Sequence, residues 1–337
     1  MNRFGHNFRV SLFGESHGEA VGVIVDGVAP GIELSAADFE VDLARRRGGG
    51  TSSDGSDGGG LTGTTPRREA DVPEMVSGVY EGHTTGAPLA IVFRNCDVRS
   101  GDYTIFADHP RPSHADLVAR QKFGGHNDPR GGGHFSGRLT LCLVTAGVVA
   151  KKVLASRYSE IEIAAEIVEI GGGRDNTEFN SIIAAAMADT DSVGGVIECR
   201  AAGVPAGLGE PFFDSVESVA AHLLFSIPGV KGVEFGSGFA GAASRGSQNN
   251  DPIIDAQGTT ATNNSGGVVG GITNGGEIVV RVAVKPTASI ARPQRTFNLA
   301  TWRVEPLSVG GRHDACIALR AAVVVEACMA IALADLV

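Results

Sequence analysis

Four short stretches of this 337-residue chain set histidine among glycines, arginines and acids: Gly14–Gly18 (GESHG), Arg111–Asp116 (RPSHAD), Gly131–Arg138 (GGGHFSGR) and Gly310–Asp314 (GGRHD). Imidazole gains and loses a proton near neutral pH, and guanidinium is a planar fork that grips phosphate or carboxylate. Together they suit chemistry on a small anionic molecule. Lys285–Ser289 (KPTAS) adds a cation, a rigid turn and two hydroxyls, a cradle for a phosphate tail. The glycines of Gly266–Gly271 (GGVVGG) permit close backbone approach to a flat ligand. Arg138 and Arg312 stand beside glycines at expected helix starts, where a cation opposes the dipole, so an anion between them is expected. Arg45, Arg46 and Arg47 close a helix, where their charge complements the dipole whether or not they also hold substrate.

Two matches to known patterns fail on context. Gly14–Gly18 fits G-x-S-x-G, but only thirteen residues precede it, too few for the strands that carry a nucleophile elbow. Gly236–Gly241 (GSGFAG) follows a strand, yet the residues after it cannot open the packed helix that a dinucleotide fingerprint requires. No Gly-Lys pair occurs, so a Walker A loop is absent.

Composition narrows the class. A hydrophobic share of 42% over this length supports a large core. The longest apolar stretch, Ala321–Ala334, is short and interrupted by Glu326, which argues against a signal peptide or membrane span and for a cytoplasmic protein. Five scattered cysteines without C-x-x-C indicate neither disulfides nor a metal site, and are expected as reduced core residues. A net charge of −10 excludes a general nucleic-acid partner, so any anion site must be local. Only five of the 28 basic residues are lysines, leaving arginine as the main anion ligand.

Apolar periodicity outlines the elements that position these loops. Strands are expected at 8–13, 20–25, 71–82, 88–95, 161–170, 195–200, 232–235 and 278–284. A capping box at Ser35 and Asp38 opens a helix ending near Arg47. Ser113 with Asp116 is expected to cap a helix with His114 in its first turn, where backbone N–H groups favour anions. Leu139–Leu154 is apolar on nearly every face and should be a central buried helix, opened by Ser136 and Arg138. Further helices are expected at 178–189, from an Asp214/Glu217 cap to about 226, and from about Asp314 to Leu336. Segments 48–66 and 242–276 read as irregular loops. No repeat or boundary divides the chain, so residues 1–337 are expected as a single α+β domain of sheets backed by central helices.

In this order the motifs, with Val25-Asp26-Gly27-Val28, Val204–Pro211 (VPAGLGEP) and Arg245–Asn249 (RGSQN), closely resemble the chorismate synthase family from about residue 3 to 335. The resemblance implies a β-α-β sandwich of antiparallel sheets around central helices, assembled as a homotetramer. It implies a lyase that removes phosphate and the C6 hydrogen from 5-enolpyruvylshikimate 3-phosphate by anti 1,4-elimination, with reduced FMN and no net redox change. Carried over by motif, His17 protonates the departing phosphate, His114 sits against the reduced flavin, and Asp314 helps move the C6 proton. Ser16, Arg46, Arg111 and Arg138 match substrate- or NADP-binding positions. Arg312 and His134, Phe135, Ser136, Pro228, Gly229, Gly270, Lys285, Pro286, Thr287, Ala288 and Ser289 match the FMN site. Whether NADPH reduces the flavin on this protein or a separate reductase does so is left open. The chain departs from the family pattern in its longer 48–66 loop, in Ser53 or Asp54 where a basic residue is expected, in Ser113 where Gly is commoner, and in Pro228-Gly229 where Asn-Ala is commoner.

Overall fold

A computed structural model describes residues 2–47, 63–64, 69–97, 100–311 and 313–337. Most of the 48–66 loop, with Ser53 and Asp54, and Arg312 lie outside the described residues.

Two antiparallel sheets face each other across a helical layer. The first orders its strands Arg3–Phe4, Arg9–Gly14, Ala20–Asp26, Leu89–Arg94, Glu74–Ser77. The second runs Val230–Phe235, Ile278–Val284, Gly195–Ala202, Glu162–Ile170. Alternation along the strands decides which side faces the helices. Val21, Val23 and Val25 pair with Phe93, Ile91 and Leu89, all six fully buried. In the second sheet Ile278, Val280 and Val282 pair likewise with Ala201, Cys199 and Ile197. Each large apolar side chain so buried contributes roughly 1.5–3 kcal/mol.

The layer between them is built on Thr140–Arg157 and Ala318–Leu336. The first of these, with its opening turn, is the one helix among the described residues long and apolar enough to cross a membrane, and most of it is buried inside the protein. Its Gly147 lets the two helices touch, since a Cβ there would lie 2.3 Å from that of Ala327. Asp335 fastens the second helix to the first sheet: one carboxylate oxygen accepts the N–H groups of His6, Asn7 and Phe8 at 2.7, 2.7 and 2.8 Å. One contiguous core reaches from Phe8 to Ala334.

Most expected elements form, and local chemistry explains the differences. The 71–82 strand breaks at Gly78, whose φ of 86° bends the chain between Glu74–Ser77 and Val79–Tyr80. Asp214 does not cap its helix; Ser215 does, its hydroxyl accepting the Ser218 N–H at 3.0 Å. The C-terminal helix starts at Ala318, leaving Asp314 in an irregular approach. Four of the cysteines are buried as expected, but Cys96 is exposed. Segment 242–276 is organised by Asp251, which accepts Thr262 Oγ1 at 2.6 Å and the N–H groups of Asn264 and Ser265 at 2.8 Å. The hairpin Gln294–Asn298 and Arg303–Leu307 is unforeseen, because its polar strands carry little apolar alternation.

Candidate active site

The three consecutive glycines Gly131, Gly132 and Gly133 all adopt positive φ, 59°, 80° and 54°, a path that glycine follows without the steric cost a side chain would bring. This turn leads into Ser136, whose hydroxyl accepts the Arg138 N–H at 3.3 Å and opens the central helix. Around it lies a cavity of about 720 Å³, within the range for small-molecule sites. Its lining includes Arg46, Arg47, Arg111, Arg138, Lys231, Lys285 and Arg320, so a chain of net charge −10 concentrates cations here. His114, His134, Phe135, Ser136, Pro228, Gly229, Lys285–Ser289 and Asp314 share the same lining.

Arg138 and Arg46 are both buried and share Asp71. Arg138 Nη1 donates to Asp71 Oδ1 in a short contact and Nε to Asn95 Oδ1 at 3.1 Å. Arg46 Nε donates to Thr140 Oγ1 at 3.0 Å and Nη2 to the Gly137 carbonyl at 3.0 Å. Burial pushes the Arg46 guanidinium down to about 9, with Arg320 adding to the effect and Asp71 opposing it, so it stays charged at neutral pH. Arg138 Nη2 and Thr287 Oγ1 are buried without a hydrogen-bond partner among the described residues. A buried donor left unpaired costs about 1–3 kcal/mol, so both positions favour a polar ligand.

Arg111 organises the opposite wall. Its Nε and Nη2 donate to Asp116 at 2.8 Å each, Nη1 donates to Ser289 Oγ at 2.9 Å, and its guanidinium carbon lies 4.4 Å from the Phe106 ring centroid. His114 Nδ1 is 2.6 Å from Asp116 Oδ1. Burial alone would raise the Asp116 carboxyl, but the Arg111 and His114 hydrogen bonds outweigh it and hold it well below the usual range. Because Asp116 is engaged this way, the expected Ser113/Asp116 cap does not form. The helix begins at Asp116 after an Ala115 N-cap, and His114 precedes it rather than occupying its first turn. Ser113 adopts φ 58°, a left-handed conformation that explains why glycine suits this position better. Lys285 Nζ donates to the Ser113 carbonyl at 2.7 Å. Burial, then Lys231, lowers the Lys285 ammonium pKa.

Ser16 and His17 are buried in the wall rather than on the lining. The His17 ring stands edge-on to Tyr103 with centroids 5.1 Å apart, and a Cβ on Gly131 would come within 2.6 Å of its Nε2. Tyr103 and Gly131 both line the cavity, so His17 lies directly behind its surface. His134 Nδ1 donates to the Gly14 carbonyl at 2.8 Å and Nε2 meets Asn2 Oδ1 at 3.2 Å, pinning the GESHG turn. Asp314 accepts from Arg320 Nη1 at 3.2 Å. Gly270 is not brought to the cavity: it lies exposed in the turn between Val268–Val269 and Ile272–Thr273. Among the described residues no cluster of three or more metal-ligating side chains occurs.

Residues 8–337 match the family model described as chorismate synthase. The chain belongs to the chorismate synthase family. It is 55% identical over 335 residues to the chorismate synthase of Chitinophaga pinensis, covering 99% of this chain and 96% of that protein. Identity to the chorismate synthase of Korarchaeum cryptofilum is 45% over 358 residues, covering 98% and 96%. A crystal structure of chorismate synthase superposes with a TM-score of 0.74 at 28% identity, covering 99% of this chain and 92% of that one. The β-α-β sandwich is therefore the chorismate synthase fold, and the activity is chorismate synthase activity, a lyase reaction of the shikimate pathway to the aromatic amino acids.

Three residues around this cavity carry no motif legible in the sequence. Asp71 sits at φ 48° beneath two arginines, Tyr103 covers His17, and Asn95 ties Arg138 to the GESHG turn. Only Asp116, inside RPSHAD, was visible locally, and as a cap.

Proposed function

We propose that this cavity receives 5-enolpyruvylshikimate 3-phosphate together with reduced FMN, and that its arginines and lysines neutralise the phosphate and carboxylates of the substrate. The supporting observation is the gathering of cations on one cavity of an acidic protein, with Arg138 Nη2 buried and without a hydrogen-bond partner among the described residues. A dry site cannot hold three anionic groups without such pairing.

The residues present fit a flavin. Thr287 Oγ1 is a buried polar atom with no partner among the described residues, the Gly131–Gly133 turn offers bare backbone, and Lys285, Ser289 and Arg111 supply donors for a phosphate tail. Phe135, Ser136, Pro228, Gly229 and the Lys285–Ser289 segment would hold it, with His134 fixing the glycine turn. Reduced FMN, when bound, supplies transient electron density that weakens the allylic C–O bond, so no net redox change accompanies the elimination.

The chain's own groups orient substrate and move protons. His17 protonates the leaving phosphate, a role that commonly contributes about 10² to 10⁴ in rate. His114 lies on the cavity wall for the flavin edge, and Asp314, held by Arg320, takes part in removing the C6 proton. Ser16 supports His17 from within the wall. The chain works as one domain, in the cytoplasm, as a homotetramer in which Gly270 would approach a ligand only through a neighbouring copy. Arg312 belongs by motif to the same flavin site, and NADPH is the reductant where one is used.

The test is anaerobic turnover of His17→Ala with reduced FMN. Chorismate formation should fall a hundredfold or more, about 2.7 kcal/mol in transition-state terms, while flavin binding is retained. Unchanged turnover rejects His17 as the acid.

A further inference from the structure

His114, Asp116 and Arg111 meet within one tight cluster, and the placement of a single proton decides what His114 can do. Two partners compete for its Nδ1. Asp116 Oδ1 lies 2.6 Å away and Arg111 Nη2 lies 3.0 Å away. If Arg111 donated to Nδ1, the ring would present a lone pair to a carboxylate at 2.6 Å, two acceptors in repulsive contact. If Nδ1 carries the proton, it donates to Asp116, and Arg111 Nη2 donates to the same Oδ1 at 2.8 Å. A carboxylate oxygen accepts two such bonds readily. Asp116 accepts from Arg111 N and Nε as well, at 3.1 and 2.8 Å, so it cannot turn away. The His114 ring edge opposite Asp116 faces Gly132, where a Cβ would stand 3.6 Å from Nε2.

We propose that Asp116 is a positioning residue that locks His114, which lines the cavity, as the Nδ1–H tautomer and leaves Nε2 as its acceptor nitrogen. This rests on the reading that His114 serves a ligand there. Two consequences follow from the geometry. Nε2 meets the ligand as an acceptor in the neutral ring and becomes a donor only on protonation. Asp116 also offsets the Arg111 charge beside the ring. Among the described residues, Lys285, tied to the Ser113 carbonyl, and His313, which feels the charges of both Arg111 and His114, also face this cluster. Asp116 reaches the ligand only through His114 and Arg111, so it shapes the reaction without touching substrate.

The experiment is solid-state ¹⁵N NMR on sedimented, ligand-free protein labelled at histidine, with His114→Gln identifying the His114 resonances. The wild type should show a protonated Nδ1 and an unprotonated Nε2 at alkaline pH. In Asp116→Asn the tautomer should change or become mixed, because the side chain facing Nδ1 is no longer an acceptor only. Asp116→Glu should restore the Nδ1–H form in part. A wild-type His114 found as the Nε2–H tautomer overturns the proposal. So does an Asp116→Asn protein whose tautomer is unchanged. These readouts need no turnover, so they stand or fall separately from the cavity's assignment, which flavin and substrate binding by the wild type tests.

Discussion

Asn95 Oδ1 accepts the Arg138 Nε–H at 3.1 Å, while its amide nitrogen donates to the carbonyls of Glu15 and Gly18 at 3.0 and 2.9 Å. One neutral side chain at the end of a strand therefore sets the distance between the turn that carries His17 and the buried Arg138 guanidinium. Asn95→Ala leaves a buried guanidinium N–H and two carbonyls without this partner. Turnover should fall about tenfold or more, since small misplacements of reacting groups are expensive. Asn95→Asp keeps the acceptor for Arg138 but loses the donor to the turn, and should lower kcat more than it raises KM. Steady-state kinetics on both variants checks this; two variants with wild-type kcat refute it.

Gly131 guards the position of His17. With φ 59° and a would-be Cβ only 2.5 Å from the ring Cδ2, Gly131→Ala must displace either the imidazole or the glycine turn. The loss in kcat should be on the order of a hundredfold, with an unchanged circular dichroism spectrum. Wild-type kcat in a folded Gly131→Ala protein would contradict the arrangement.

The sequence exposes the fold better than it exposes the site. The strands at 20–26, 89–94 and 278–284 announce themselves because burial on one face or both demands runs of Val, Ile and Phe. The central helix is legible for the same reason, being apolar on nearly every face. Caps are harder, because a short polar side chain near a helix start serves whichever partner tertiary structure provides. Asp116 went to Arg111 and His114, and Ser215 rather than Asp214 took the next helix. Histidines and arginines in glycine loops are visible as candidates, yet only the folded chain separates His114 and His134 on the cavity lining from His17 behind it, and shows His134 bonded to the Gly14 carbonyl. Asp71 and Asn95 act through contacts many residues away, for which no local pattern exists.

Cysteine reactivity should divide sharply. Burial pushes the Cys142 and Cys328 thiols up to about 12, while Cys96 is exposed. A thiol-specific reagent at mildly alkaline pH should modify one cysteine in the native protein and all five after unfolding. Rapid labelling of a second native thiol would show the core to be looser than this packing.

Acid should weaken the helical layer at Glu326. Its buried carboxylate receives Arg45 Nη2 at 2.8 Å, Lys151 Nζ at 2.5 Å and the Ala165 N–H at 3.2 Å. Burial would raise this carboxyl, but Arg45 and Lys151 outweigh it and hold it below the usual value. A folded value below the unfolded one means that the stabilisation is complete above the unfolded carboxylate pKa of about 4.3 and is lost as pH falls through the folded value. Tm should therefore drop on acidification below about pH 4.3, and drop less steeply in Glu326→Gln. Equal slopes would remove Glu326 from the acid response.

The most direct test of the shared cavity is anaerobic turnover of 5-enolpyruvylshikimate 3-phosphate by the wild-type protein with reduced FMN far below the substrate concentration, following phosphate and chorismate together. Equimolar phosphate and chorismate, at many turnovers per flavin and none without reduced flavin, is the predicted result. Product limited to one equivalent of the flavin supplied, or formed equally well without it, would contradict the account.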